Sequence, residues 1–447
     1  MIRMVERMQG KPLEDHGLVE GREEGSEKTK KIKILVADTA PLYPPLWGGP
    51  RRIFDLYTNL EGCSVNYVGL NVEKGFKRTE KKVSKNTLEI IVPPSLLGLA
   101  LRKAQRLLLP GLTFDLYSYL FVRRDRNFKK EIRLLEKDST LLVSSHPWSF
   151  PAFRKRKGPI KVYDAHNVEY DLMRQITKDR TFTKLISYFV KRIETAACRE
   201  SDIIICCSQE DKERLSKSYD VAEDKIFVIP NCTDSDLFRP ASTYERDEQK
   251  KAMGIKGPCI LFVGSFYNPN IEAFGFIIKE LAPKLEGCTF LIVGSVSHAI
   301  EGFVSDTAIP SNVKVLGPLA YDGLRKAMKA SDIAINPTFS GSGIHIKMLD
   351  YMAAGLPIIS TPLGARGLGI EDGKEALIAG PAVFHDAISR LVADKESREA
   401  LSMKGRIKSL EFDSKILSGR LQEILFKNCG VAPQETLEEP AVGEREK

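Results

Sequence analysis

A chain of 447 residues exceeds the roughly 250–300 at which one hydrophobic core stops growing, so two domains are expected. Its 43% hydrophobic and 28% charged residues are ordinary globular values, and no stretch supplies the roughly 18–20 uninterrupted apolar residues of a membrane span, which leaves a soluble chain or one that lies on a membrane. The eight cysteines show no CxxC pair, which argues against a zinc cluster or a disulfide framework, and the formal charge of +8 is too mild, with basic runs too poor in aromatics, for a nucleic-acid partner.

Residues 1–31, rich in Glu, Lys, Arg and Gly and without an apolar centre, read as a disordered tail that is not exported. Ile32–Ala37 is a short apolar run followed by a loop through Gly48-Gly49-Pro50, and Ile53, Leu56, Tyr57 and Leu60 then recur at helical spacing over Arg51–Leu60. That unit is strand, glycine loop, helix. Pro94–Phe121 is apolar and broken by Pro110-Gly111; it reads either as an interfacial segment or as a helix packed on the first sheet. Two basic runs, Arg123 to Lys130 and Arg154 to Lys157, are either a solvated face or a contact for phosphate-bearing partners or anionic headgroups. Strands follow at Thr140–Ser144, Ile160–Tyr163, Asp202–Cys206 and Lys225–Ile229, with a long helix at Phe182–Glu200. Short buried strands alternating with helices mean a parallel sheet covered on both faces.

The polar stretch 241–256 reads as an interdomain linker. A second series has strands at Cys259–Val263, Thr289–Val293, Val313–Leu316, Ile333–Asn336 and Pro357–Ser360, then a helical pattern from Phe384 to Leu425. The division is therefore a tail (1–31), a first Rossmann-like domain (32–240), the linker (241–256), a second Rossmann-like domain (257–405), a C-terminal helix (406–428) and a disordered tail (429–447). In such sheets ligands bind outside the carboxyl ends of the strands.

The strongest chemical signal is the run from Phe339 to Thr361, where the loop Ser340–Gly343 follows a strand and leads into a helix starting near Ile344. Backbone N–H groups and the positive end of the helix dipole make a diphosphate site there. Lys347 and Asp350, three residues apart, share a face toward one bound group: the cation for phosphate oxygens, the carboxylate for the two hydroxyls of a ribose. From spacing alone an ordinary surface ion pair explains them equally well.

This segment resembles the donor-site signature of the retaining glycosyltransferases of family 4, which have the GT-B fold: α/β, two facing Rossmann-like domains with parallel sheets, the active site in the cleft between them. The family shows Glu, seven residues, Glu, then Ala-Met-Ala-x-Gly-x-Pro; here Asp350 is the second acid, before Tyr-Met-Ala-Ala-Gly-Leu-Pro, and Ser342 stands at the first. Val228–Pro240, Tyr163–Glu169 and the Gly48-Gly49 pair match further family segments. The resemblance implies a nucleotide-sugar donor on Gly341, Ser342, Gly343, Ile344, His345 and Lys347, its ribose on Asp350 and its base near Leu319. Gly264, Ser265 and Asn270 stand where many members carry an Arg and a Lys that hold the diphosphate, so Lys347 is expected to replace those cations. It also implies His166 as the acceptor-side residue, with Gly48 and Gly49 in the cleft; His146 and His298 rank lower. Lys347, Asp350 and His166 are the candidate catalytic residues.

The activity implied by the resemblance is a retaining, metal-independent transfer to a sugar or lipid-linked hydroxyl acceptor, with no cofactor, in the cytoplasm, and a peripheral contact at the inner face of the cell membrane is compatible with it. Asp234-Ser-Asp236 is a weak magnesium signal explained by the interdomain segment, and Gly341-Ser-Gly343 lacks the third glycine of a dinucleotide fingerprint. The alternative from a different class is a catalytically silent sugar-nucleotide-binding or partner subunit, motivated by Ser342 and the missing Arg and Lys.

Overall fold

The computed structural model describes residues 32–71, 75–108, 122–153, 157–177, 181–300, 308–341 and 343–430. The expectations for residues 1–31, 109–121, 154–156, Ser342 and 431–447 lie outside the described residues.

The first domain runs β1 (Ile32–Ala37), α1 (Gly48–Tyr57), β2 (Cys63–Leu70), β3 (Thr79–Lys82), β4 (Thr87–Val92), α2 (Leu96–Leu108), α3 (Arg126–Leu135), β5 (Leu141–Ser144), β6 (Ile160–Ala165), α4 (Glu169–Thr177), α5 (Thr181–Glu200), β7 (Ile203–Cys206), α6 (Gln209–Tyr219) and β8 (Ile226–Val228). Its eight strands are ordered β3-β4-β2-β1-β5-β6-β7-β8, all parallel except the β3 edge. The order reverses between β1 and β5, so the glycine loop after β1 and the loop after β5 open at a topological switch point. Strands β2 to β4 go beyond the elements expected from the sequence. β3 (TEKK) is fully exposed, and β4 carries Glu89, whose carboxylate accepts the amides of Leu42 and Tyr43, so neither shows an uninterrupted apolar run.

The second domain continues with α7 (Thr243–Ala252), β9 (Cys259–Val263), α8 (Asn268–Phe276), β10 (Thr289–Val293), β11 (Val313–Gly317), α9 (Tyr321–Lys329), β12 (Ile333–Asn336), α10 (Ile346–Ala353), β13 (Ile358–Ser360), β14 (Leu377–Ile378), α11 (Phe384–Ala393), α12 (Lys395–Leu410) and α13 (Ser414–Asn428). Its strand order is β11-β10-β9-β12-β13-β14, with the reversal between β9 and β12. The loops carrying Gly264 and Gly341 therefore open at the second switch point.

Two boundaries differ from expectation. The stretch 241–256 is not a free linker: α7 opens with a capping box between Ser242 and Glu245 and lies on the second domain through Glu245–Lys329 and Lys250–Asp332 ion pairs. It buries no residue fully, so no apolar period announces it. The chain crosses earlier, between Cys232 in the first core and Leu237 and Phe238 in the second. The long C-terminal helical pattern is three helices, and α13 returns to the first domain, where Leu417, Leu421, Leu425 and Phe426 pack with Ile53, Leu56 and Tyr57. The two crossings run side by side: the Thr233 amide donates to the Phe412 carbonyl and the Ser414 amide to the Thr233 carbonyl.

Helix α2 settles part of the Pro94–Phe121 question. Leu101 packs against the first sheet's core and Arg102 is buried, whereas Leu96, Leu97 and Leu107 are 87%, 63% and 71% exposed. Among the described residues no helix is long and apolar enough to cross a membrane.

Candidate active site

The two switch points face each other across one narrow cleft. Gly48 lies beside the Ile346 side chain, a Cβ on Gly343 would come within 2.9 Å of Asn167 Oδ1, and Asn231 Nδ2 donates to the Ile344 carbonyl at 3.4 Å. Beyond Gly343 the cleft opens into a cavity lined by Asn167, Asp171 and Arg214 from one domain and Ile344, Arg366 and Gly367 from the other.

On the second domain, the floor is made of backbone. Gly294 (φ 105°) ends β10 so close to β9 that a Cβ there would sit 2.2 Å from the Gly264 carbonyl oxygen. Above it, Gly341 (φ 106°) and Gly343 (φ 81°) turn the chain through conformations closed to L side chains, and α10 begins at Ile346, two residues later than expected. His345 is its N-cap residue and makes no side-chain cap; burial, then the nearby Lys347 charge, pulls its pKa down to about 3. Leu319 sits after β11, packed under Gly323 at the start of α9.

Gly264, Ser265, Asn270 and Lys347 come together. Asn270 Nδ2 donates to the Ser265 carbonyl and hydroxyl, and Lys347 Nζ donates to Asn270 Oδ1 at 2.7 Å while lying 4.5 Å from the centre of the Phe262 ring. Burial pulls the Lys347 ammonium down to about 7. An ammonium so poorly compensated is poised to gain from an arriving anion.

Asp350, on the same helix, is paired across the cleft rather than with Lys347. It faces the first domain, where Arg51 Nη1 and Nη2 donate to its two oxygens at 2.6 and 2.7 Å and Thr233 Oγ1 adds a third bond at 2.7 Å. The Arg51 guanidinium also rests on the Phe238 and Tyr321 rings, 5.3 and 5.5 Å from their centres, and its Nε donates to Asp55. Burial raises the Asp350 pKa against the pull of Arg51, and likewise brings Asp55 up to about 7. Asp350 is thus a closed, paired carboxylate here. The sequence pattern marks neither Arg51 nor this pairing; the available signal is the two arginines that follow Gly48-Gly49-Pro50.

On the first domain, His166 ends β6 with Nε2 3.3 Å from Ser145 Oγ, which donates to Asp38. His146, at the end of β5, stacks on Trp148 and tilts against His166 with ring centres 4.4 Å apart. The two rings close over Gly49, where a Cβ would lie 3.5 Å from a nitrogen of each. Their pKa values are pushed in opposite directions. Burial, then the His146 and Arg52 charges, hold His166 well below its ordinary pKa; for His146 the same burial is outweighed by Asp38 and by Glu169, 3.3 Å from Nδ1. Glu194 fixes this corner by accepting the amides of Glu169 and Tyr170 at the start of α4 and the hydroxyls of Tyr163 and Tyr219. Behind it, Arg52 joins Asp164 at 3.0 Å and the Ile229 carbonyl, pinning α1 to β6. His298 lies apart, near Phe266. Asp234 accepts the amides of Asp236 and Leu237 while Asp236 pairs with Lys415, so the two carboxylates do not converge.

Two facing parallel sheets with their switch points across one cleft define the GT-B architecture. Sucrose-phosphate synthase from Thermosynechococcus elongatus shares it, with a TM-score of 0.70 at 17% identity over 89% of this chain and 100% of that one. Residues 257–394 match the family model described as Glycosyl transferases group 1, and residues 92–237 that described as Glycosyltransferase Family 4. The chain belongs to this glycosyltransferase family. Curated relatives include D-inositol 3-phosphate glycosyltransferase of Corynebacterium jeikeium, 24% identical over 218 residues, 45% of this chain and 51% of the relative. Another is UDP-Gal:alpha-D-GlcNAc-diphosphoundecaprenol alpha-1,3-galactosyltransferase of Escherichia coli, 26% identical over 282 residues, 59% of this chain and 69% of the relative. The chain spans about half the length of the relatives it matches first.

Proposed function

We propose that this protein is a retaining, metal-independent glycosyltransferase that moves a sugar from a nucleotide-sugar donor to a hydroxyl of a glycan or lipid-linked acceptor. The observation that carries this reading is the second switch point: a loop with two positive-φ glycines leads into a helix N-terminus, with a buried, under-compensated lysine beneath it and two histidines opposite. A diphosphate leaving group fits such a place, because first-turn amides and the helix dipole stabilise the charge it gains as the sugar departs. Lys347 supplies the cation, with Asn270 holding its ammonium in position. The neutral His166 offers a ring nitrogen to a sugar hydroxyl, and the leaving phosphate takes the acceptor's proton, so no carboxylate base is required.

The acceptor enters from the first domain past Gly48 and Gly49. The leucines exposed on α2, beside the basic start of α3, support a peripheral contact with an anionic membrane surface at its cytoplasmic face, in keeping with the lipid-linked substrate in the E. coli relative's name. That relative's name also makes a UDP-sugar the first donor to try.

The test is release of nucleoside diphosphate from a panel of nucleotide sugars, with sugar and polyprenol-linked acceptors supplied, for wild type and Lys347→Ala. Turnover of one donor, lost in a variant that still melts cooperatively, is the expected result. Binding of a donor without turnover on any acceptor points instead to the silent-subunit reading.

A further inference from the structure

Resting on the donor-site reading above, we propose that Arg51 is a donor-site residue: its guanidinium pairs with Asp350 as a stand-in for the ribose, and donor entry exchanges it for the ribose hydroxyls.

A guanidinium edge and a vicinal diol present the same thing to a carboxylate, two donors side by side. Arg51 makes that fork–fork contact with both oxygens of Asp350. Its surroundings are those of a nucleoside. The guanidinium lies against Phe238 and Tyr321, Tyr321 opens the helix directly after Leu319, and the Tyr321 hydroxyl is buried without a hydrogen-bond partner. A buried hydroxyl left unpaired costs stability, and a ligand polar group at this place would satisfy it.

The exchange leaves no charge stranded. Arg51 keeps a second carboxylate, since its Nε already donates to Asp55 at 3.1 Å, and Asp350 keeps the Thr233 hydroxyl on Oδ1. Removing one partner from a buried ion pair is otherwise strongly unfavourable. Because Arg51 belongs to α1 of the first domain and Asp350 to α10 of the second, the exchange also undoes an ion pair between the domains. Donor binding and the relative placement of the two domains are thereby linked.

The experiment is calorimetric titration of the full chain with UDP, GDP and ADP, and with the 2′,3′-dideoxy analogue of whichever binds, for wild type and Arg51→Gln. Because the two-pronged Arg51–Asp350 pair holds the released state to about one molecule in ten or fewer, Arg51→Gln is expected to tighten the ribonucleotide by about tenfold or more and to leave the dideoxy analogue unchanged. Equal tightening of both nucleotides, or unchanged or weaker binding of the ribonucleotide, overturns the exchange. If no nucleoside diphosphate binds either protein, the donor-site reading itself fails and takes this inference with it. Should Arg51→Gln not fold, Arg51→Lys, whose single ammonium cannot grip both oxygens, is expected to shift affinity in the same direction by less.

Discussion

The two switch points are built from opposite materials. On the first domain, the cleft edge is crowded with partnered ionisable side chains: Asp38, Ser145 and His166 in one chain of contacts, His146 and Glu169 in another, all braced by Glu194 and by the Arg52–Asp164 pair. On the second, among the described residues, it is glycine backbone with Lys347 beneath it and Arg366 farther along the cleft. A wall of fixed side chains can orient hydroxyls and set their protonation; a glycine cradle at a helix start can take a diphosphate, whose charge calls for close amides. The contrast supports the proposal that acceptor work falls to one domain and donor work to the other, and it can be broken from either side.

The largest effect is expected where the first wall is anchored. Asp164→Ala strands the buried Arg52 guanidinium and should cost about 3–5 kcal/mol, read as a fall in urea midpoint. Next, Gly343→Ala adds a Cβ 2.9 Å from Asn167 Oδ1 at a φ of 81°, a strain of about 1–3 kcal/mol that should lower the melting temperature by a few degrees, and should weaken nucleoside diphosphate binding to the still-folded protein about ten- to hundredfold. An unchanged affinity would move the donor site elsewhere.

A smaller effect is expected from Lys347. Burial holds its pKa to about 7, and an arriving diphosphate raises it, so binding takes up a proton. Affinity should be greatest below pH 7 and fall by at most about tenfold per unit as pH rises above it, while Lys347→Ala binds weakly and without this slope. The smallest concerns His146. Its folded pKa lies above the ordinary 6.5, so its stabilisation is complete below that value and is lost as pH rises through the raised one. His146→Gln should flatten that stretch of the stability profile by about 1 kcal/mol or less, measured by chemical denaturation at stepped pH.

Much of the fold and the donor loop is legible in the residues themselves. The apolar runs at Ile32–Ala37 and Cys259–Val263 are buried on both faces, as central parallel strands must be, and glycines at 341 and 343 mark a turn that only glycine makes comfortably. The Lys347–Asn270 contact unites two residues singled out separately. The features that sequence patterns do not reveal are held by polar contacts across long sequence separations. Helix α7 rests on ion pairs, β4 hides a buried glutamate, and Arg51 reaches Asp350 across 299 positions. Periodicity reports burial of apolar faces; α7 has none, and in β4 and at Arg51 the deciding contact is a buried charge that no apolar pattern marks.

The most direct measurement is a crystal structure of the protein with its nucleoside diphosphate. The diphosphate is expected on the Gly341–Ile344 loop within reach of Lys347, the ribose on Asp350 with Arg51 turned away toward Asp55, and His146 and His166 facing the position of the sugar. A nucleotide bound to the first domain, or one held in the second with the Arg51–Asp350 pair intact and Lys347 untouched, would contradict that placement.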